Sequence, residues 1–242
     1  MIRRTVSFAQ AVSDGKTMVE DIEGVLAKDS LEAMILVEQR KIPVLVDPKC
    51  EIAQQLKFDA LVDGVLAKKN IGTRIDDAPI VVALGPGFTA GVDCHAVIET
   101  QRGHDLARVI LEGSATPDTG VPGMVGGYAL ERLIKSPAQG KFITTAKIGD
   151  LVKKDQSIGY ILGENAEGQE EKTPVVALID GVLRGILQDG LPVFQGMKIG
   201  DVDPRPVVNH CFSVSDKARA IGGGVLEAIL RLSVEHNPNF WK

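Results

Sequence analysis

Gly140-Lys141-Phe142-Ile143-Thr144-Thr145, continuing through Ile148-Gly149-Asp150-Leu151-Val152 to Ile158-Gly159-Tyr160, decides how this chain is read. The same pattern returns without a gap 41 residues later, as Gly181-Val182-Leu183-Arg184-Gly185-Ile186, Asp189-Gly190-Leu191-Pro192-Val193 and Ile199-Gly200-Asp201. Gly181 falls on Gly140, Gly190 on Gly149, Val193 on Val152, Ile199 on Ile158 and Gly200 on Gly159. Glycines at fixed offsets with β-branched residues between them mark a repeated backbone path, not merely a shared composition. Residues 136–160 and 177–201 therefore predict a duplicated β-sandwich of the kind that carries lipoyl and biotinyl groups. A carrier needs a lysine on the exposed hairpin between its halves. Here the link, Leu162 to Pro174, is acidic and offers only Lys172, followed closely by Pro174. The scaffold is predicted without its arm, so no covalent biotin or lipoate is expected.

Working outward, the chain has 242 residues, 44% hydrophobic and 24% charged, in the range of ordinary globular proteins. Its 27 basic and 32 acidic residues give a net charge of −5 with no Lys/Arg stripe, which weighs against nucleic acid as a partner. Aromatics at 4% weigh against stacking platforms. No apolar run approaches the ~20 residues of a membrane span. No apolar segment of signal-peptide type follows Met1–Phe8, and the three dispersed cysteines, Cys50, Cys94 and Cys211, do not form a disulfide framework. A cytoplasmic protein is expected.

Before the repeat, helical and extended patterns alternate. A helix is predicted over Ser30–Gln39, with Asp29 or Ser30 as N-cap, and a buried parallel strand over Ile42–Asp47. A short helix over Cys50–Lys57, an extended stretch over Ala60–Ala67, a strong strand over Pro79–Leu84 and another over His95–Thr100 complete the set. The pattern predicts an α/β fold with a Rossmann-like, mostly parallel N-terminal domain over 1–112. A Gly/Pro/Thr-rich linker over 113–129, the duplicated sandwich over 130–208 and a C-terminal helical segment over 209–242 follow. That last helix crosses Gly222-Gly223-Gly224, which close packing would explain, and it is expected to pack back on the first domain.

Four groups of residues have chemistry to offer. Gly85, Gly87, Phe88, Thr89 and Gly91 follow the strongest strand, where backbone N–H groups can cradle an anion; a plain tight turn is the alternative. Asp93, Cys94 and His95, with His210 and Cys211, are the secondary candidates for a soft metal or a thiol nucleophile. Against them, neighbours in a strand point to opposite faces, and a buried cysteine beside a loop histidine needs no function. Ser215, Asp216 and Lys217 open a helix, as an N-cap, an anion pocket, or both. Thr116, Asp118 and Thr119 lie in a Pro/Gly-framed stretch that is either a semi-rigid binding loop or a linker.

Several blocks together carry a family likeness: Ile2–Phe8, Leu84–Phe88, Asp93–Thr100, Gly103–Leu106, Gly120–Tyr128, Gly196–Arg205 and Ser215–Ala218. Over nearly its whole length the chain resembles YqeB-type proteins of the selenium-dependent molybdenum hydroxylase system. The resemblance implies an accessory role in maturing or supplying such a hydroxylase, with the hydroxylase or its maturation proteins as partners. It brings no catalytic residue and no cofactor with it. Such proteins place a strand, a Gly-x-Gly-Asp turn and a helix ahead of the Ile-Arg-Arg-Thr segment, where this chain has Met1. The expectation is that the first βα unit is missing, that dinucleotides are not bound in the usual mode, and that an exposed sheet edge favours a homo-oligomer.

Overall fold

The computed structural model describes residues 1–164 and 168–236. Asn165–Glu167 of the repeat linker and residues 237–242 of the C-terminal segment lie outside the described residues. The chain forms two compact units, each assembled from two separate segments: 1–45 with 121–214, and 46–120 with the segment from Ser215 onward. This grouping departs from the expected division at 112. Residues 1–45 belong with the repeat, and the linker predicted over 113–129 is shared between the units.

In the first segment, α1 (Ala11–Asp14) leads into β1 (Lys16–Val19), β2 (Ile22–Leu26), α2 (Ser30–Glu38) and β3 (Ile42–Val44). β1 and β2 form an antiparallel hairpin, and β3 returns parallel to β2 through α2. Of the two predicted N-caps, Asp29 and Ser30, it is Asp29 whose Oδ1 accepts from Glu32 N at 2.8 Å. Glu32 reaches back to accept from Lys28 N at 2.9 Å, one residue ahead of the cap, a near relative of the capping box. β3 is parallel as predicted but not buried, with Ile42 exposed; α2 covers the sheet near Ala27, Ala33 and Leu36, and Phe8 packs against Gly24 of β2.

The segment 46–120 holds α3 (Ile52–Gln55), β4 (Ala60–Asp63), β5 (Ile80–Leu84), β6 (Ala96–Ile98) and β7 (Val109–Ile110) in one sheet of that strand order. β4, β5 and β6 are parallel and β7 is antiparallel. Loops over 64–79 and 85–95, not helices, connect the parallel strands.

The repeat folds as β8 (Leu133–Lys135), β9 (Gly140–Thr144), β10 (Leu151–Val152), β11 (Ser157–Glu164), β12 (Glu170–Val176), β13 (Gly181–Ile186), β14 (Pro192–Val193) and β15 (Lys198–Asp203). These strands make two antiparallel four-stranded sheets, β10-β13-β15-β8 and β12-β11-β9-β14. The 41-residue offset carries β9 onto β13, β10 onto β14, β11 onto β15 and β8 onto the end of β12, so each sheet takes two strands from each copy. The hydrogen bonds repeat as well. Gly149 N donates to Leu183 O at 2.9 Å and Gly190 N to Phe142 O at 2.8 Å; Leu183 N donates to Asp150 O and Phe142 N to Leu191 O. Phe142, Ile158, Ile161, Leu183, Ile199 and Val202 fill one shared core.

Met1 to Gln10 is pinned to this module, which is why residues 1–45 group with it. Ile186 N donates to Ile2 O at 2.9 Å, Arg4 Nε to Ile186 O at 3.0 Å, and Thr5 Oγ1 to Cys211 O. The acidic link between the copies is largely strand: Lys172 stands in β12 opposite Leu162, its Nζ 5.1 Å from the Tyr160 ring centroid. Pro174 is tolerated there because β12 is an edge strand.

The C-terminal helix, α4 (Asp216–His236), packs on β5 and β6 through Ala228 and Leu232 against Ile80, Val82, Ala96 and Ile98. The opposite face of that sheet is closed by Phe88, Ala90, Cys94 and Ala115 from the loops. Of the three glycines in α4, Gly224 is the one held close: a Cβ there would collide with the Ala107 carbonyl oxygen, whereas nothing lies within 4 Å of one on Gly222 or Gly223.

Candidate functional site

The carboxyl ends of β5 and β6, the loop over 113–120 and the start of α4 meet in the second unit. Open parallel sheets place their ligands at such strand ends, where successive loops diverge. Gly85 leaves β5 against Thr100, whose Oγ1 would lie 2.6 Å from a Cβ on Gly85. Glu99, directly after β6, is 4% exposed. Its Oε1 accepts from Gln101 N at 2.8 Å, and its Oε2 from Thr116 N at 2.8 Å and Thr116 Oγ1 at 2.7 Å. Burial raises the Glu99 pKa, but these donors outweigh it and hold the carboxyl below its ordinary range. Thr116, singled out in the sequence, thus ties the 113–120 loop to the sheet.

Lys217 feels the Glu99 charge together with those of Arg102, Lys68 and Asp118. Arg102 makes a bidentate pair with Asp216 at 2.7 and 2.8 Å, and Lys68 lies 3.8 Å from Asp118. Lys217, in the first turn of α4, is half-buried. Its pKa is pushed down, first by burial and then by the positive charges of Arg102 and Lys68, against the opposing pull of Glu99 and Asp118. Ser215 caps α4, accepting from Ala218 N at 3.3 Å through Oγ and from Arg219 N at 2.9 Å through its carbonyl. Capping and a cation beside a helix N-terminus therefore coexist here. Glu99, Asp118 and Asp216 balance the three cations, so it is burial at a helix N-terminus, not a shortage of negative charge, that makes the Lys217 ammonium a candidate partner for an anion.

The glycine loop plays a different part. The N–H groups of Gly85, Thr89, Ala90, Gly91, Val92 and Asp93 all donate within the protein, Thr89 N to Asp93 Oδ2 at 2.7 Å. Thr89 Oγ1 lies 3.0 Å from Ser114 Oγ, and Phe88 is buried in the core. Gly87 is required for close approach, since a Cβ there would sit 2.5 Å from Lys69 Cα. Through that contact and Asn70 N donating to Gly87 O at 3.1 Å, the loop holds the segment bearing Lys68.

The secondary candidates are engaged locally. Asp93 also accepts from Asn70 Nδ2 at 3.0 Å, and His95 Nδ1 accepts from Val81 N at 3.0 Å. Cys94 is fully buried, and burial followed by the Asp93 charge pushes its thiol up to about 11. Cys211 is buried in the first unit, its thiol also raised by burial although Arg3 and Arg184 pull the other way. His210 carries its carbonyl to Arg3 Nη2 at 3.1 Å. Among the described residues no group of three or more His, Cys, Asp or Glu is placed to hold a metal. Neither buried thiol has the lowered pKa of a nucleophile.

Sequence reading missed Lys68, Glu99 and Arg102. Glu99 could have been found as an acid at the end of an otherwise apolar strand. Lys68 and Arg102 lie in aperiodic loops and give no local signal.

No protein-family model matches the chain. It is 53% identical over 232 residues to the uncharacterized protein YqeB of Escherichia coli (strain K12), a match that takes in 96% of this chain and 41% of that one. The chain thus spans about two fifths of the length of that curated relative, and the match supports a YqeB-type protein. Among solved structures, an aspartoacylase family protein from Mesorhizobium loti aligns at 13% identity and a TM-score of 0.29, covering 41% of this chain and 28% of that one. The product-bound ectoine utilization protein EutE (DoeB) from Ruegeria pomeroyi aligns at 18% identity and a TM-score of 0.28, covering 38% and 27%. Likenesses at these scores carry no argument about fold or chemistry.

Proposed function

We propose that this YqeB-like chain binds a small anionic ligand at Lys217 and serves as an accessory protein in the maturation or cofactor supply of a selenium-dependent molybdenum hydroxylase. The observation that carries the ligand half is the placement of Lys217, half-buried in the first turn of α4 beside the Ser215 cap, where burial lowers its pKa. The accessory half rests on the resemblance to YqeB-type proteins. In this reading the protein is cytoplasmic and homo-oligomeric, with the hydroxylase or its maturation proteins as partner. The repeat is a lipoyl/biotinyl-like scaffold that docks the partner without a covalent arm, and the β4–β7 sheet is a Rossmann-like remnant. Among the described residues no helix is long and apolar enough to cross a membrane.

Calorimetric titration with phosphate, molybdate, selenite, nucleotides and pterin phosphates tests the ligand half. One class should bind to wild type and lose at least tenfold in affinity in Lys217→Met; no binding by any of them sinks it. Co-purification with the hydroxylase tests the accessory half. Lys217→Met should leave the complex intact but lower hydroxylase activity.

Two rivals remain distinct. A non-catalytic scaffold predicts that partner capture is all the protein does, so Lys217→Met would leave hydroxylase activity unchanged. A thiol enzyme handling selenium must draw on Cys94 or Cys211, whose raised pKa values favour the unreactive thiol.

A further inference from the structure

We propose that the first unit holds a second anion, a small oxyanion bound by Arg3 in the arginine cluster on the outer face of β13 and β15. Asp201 and Asp203 in β15 are each 1% exposed, on the side of the strand away from the sandwich core. Arg132 Nη2 donates to Asp201 at 3.0 Å, and Arg184 Nε to its other oxygen at 2.8 Å. Arg205 takes both oxygens of Asp203 at 2.9 and 2.7 Å, with Arg184 Nη1 at 3.3 Å. The two carboxylates are thereby filled. Arg3 is a further guanidinium in this partly buried place, and among the described residues its Nη2 donates to a neutral carbonyl, that of His210, at 3.1 Å.

Charge and hydrogen bonding point the same way. Arg3, Arg132 and Arg184 meet two aspartates in the buried part of the cluster, with half-exposed Arg205 and exposed Lys198 at its rim, leaving positive charge in excess. The buried Nε atoms of Arg3 and Arg132 and Nδ1 of His210 have no hydrogen-bond partner among the described residues. Arg132 is itself 7% exposed, so bulk water does not reach it freely. Buried polar groups in native proteins are almost always paired, and buried charge is compensated. Ordered water would satisfy the N–H groups but leave the charge excess. An oxyanion satisfies both, and guanidinium groups match its planar pairs of oxygens. Burial followed by repulsion from Arg184 lowers the Arg3 pKa, in keeping with a site whose counter-charge comes from outside the protein.

Sulfate is the probe, with the full chain and chloride at matched ionic strength as control. Thermal unfolding of wild type should shift saturably upward in sulfate alone, by roughly 5 °C at a hundred times Kd. Arg3→Met should abolish that shift, while Lys217→Met, in the other unit, keeps it. In ¹⁵N-arginine-labelled wild-type protein the Nε–H resonances of Arg3 and Arg132 should move with sulfate. Unmoved resonances, equal movement in chloride, or a response lost in Lys217→Met but kept in Arg3→Met would each overturn the proposal. Should Arg3→Met not fold, the wild-type resonances decide alone.

Discussion

Glu99 shows how much of the second unit hangs on one side chain. It is buried at the end of β6, held ionised by four neighbouring donors, and it anchors the 113–120 loop through Thr116. Its folded pKa lies below the unfolded one, so the stability it contributes is complete above about 4.5 and is lost as pH falls through the lower folded value. Glu99→Gln should cost about 1–3 kcal/mol at pH 7. It should also flatten the acid limb of stability between pH 5 and the folded pKa, as read by urea unfolding across pH. The cysteines divide just as sharply. At pH 7.5 a maleimide should label the exposed Cys50 in the native protein and reach Cys94 and Cys211 only after denaturant, which peptide mass mapping would read. Fast native labelling of Cys94 would contradict both its burial and its raised pKa.

Strands and helices give their own controls. Gly140 and Gly181 share a backbone φ of 152° and 158°, and a Cβ on either would strike a carbonyl oxygen, of Leu162 and of Asp203 respectively. Alanine at either position should therefore destabilise by a similar amount, about 2 kcal/mol or more. In α4 the opposite sign is expected at Gly222, where alanine meets nothing and should add about 1 kcal/mol, while Gly224→Ala meets the Ala107 carbonyl and should destabilise. Chemical unfolding of the four variants checks all of this at once. These same elements show where sequence reading works. The repeat was legible because its glycines answer to clashes at fixed places, and α2 because Asp29 and Glu32 form a local cap. Strand exchange between the copies was not legible, since the pattern within one copy is the same whichever partner it pairs with. A Rossmann-like, mostly parallel sheet was expected, yet loops over 64–79 and 85–95 stand where crossover helices would be in such a fold. Of the site, Thr116, Asp118, Asp216 and Lys217 were visible as polar residues at a loop and a helix mouth. The residues that give them meaning, Glu99, Arg102 and Lys68, reach them only through tertiary contact.

At the scale of the whole chain, each unit is made of two segments with a segment of the other between them. The second unit depends on α4 for one entire face of its sheet. Ending the chain at Ser215 should uncover Ile80, Val82, Ala96 and Ile98. The truncated protein should bind a hydrophobic dye and lose amide-exchange protection over 80–98, and retained protection there would refute the dependence. This interleaving also sets a timetable. On the ribosome, β5 and β6 emerge well before α4, and at about 5–20 residues per second the interval is on the order of 10 s. Throughout it a nascent apolar sheet face waits for a helix not yet translated. Extra chaperone during synthesis should therefore raise the yield of folded protein more than substitutions that stabilise the finished fold.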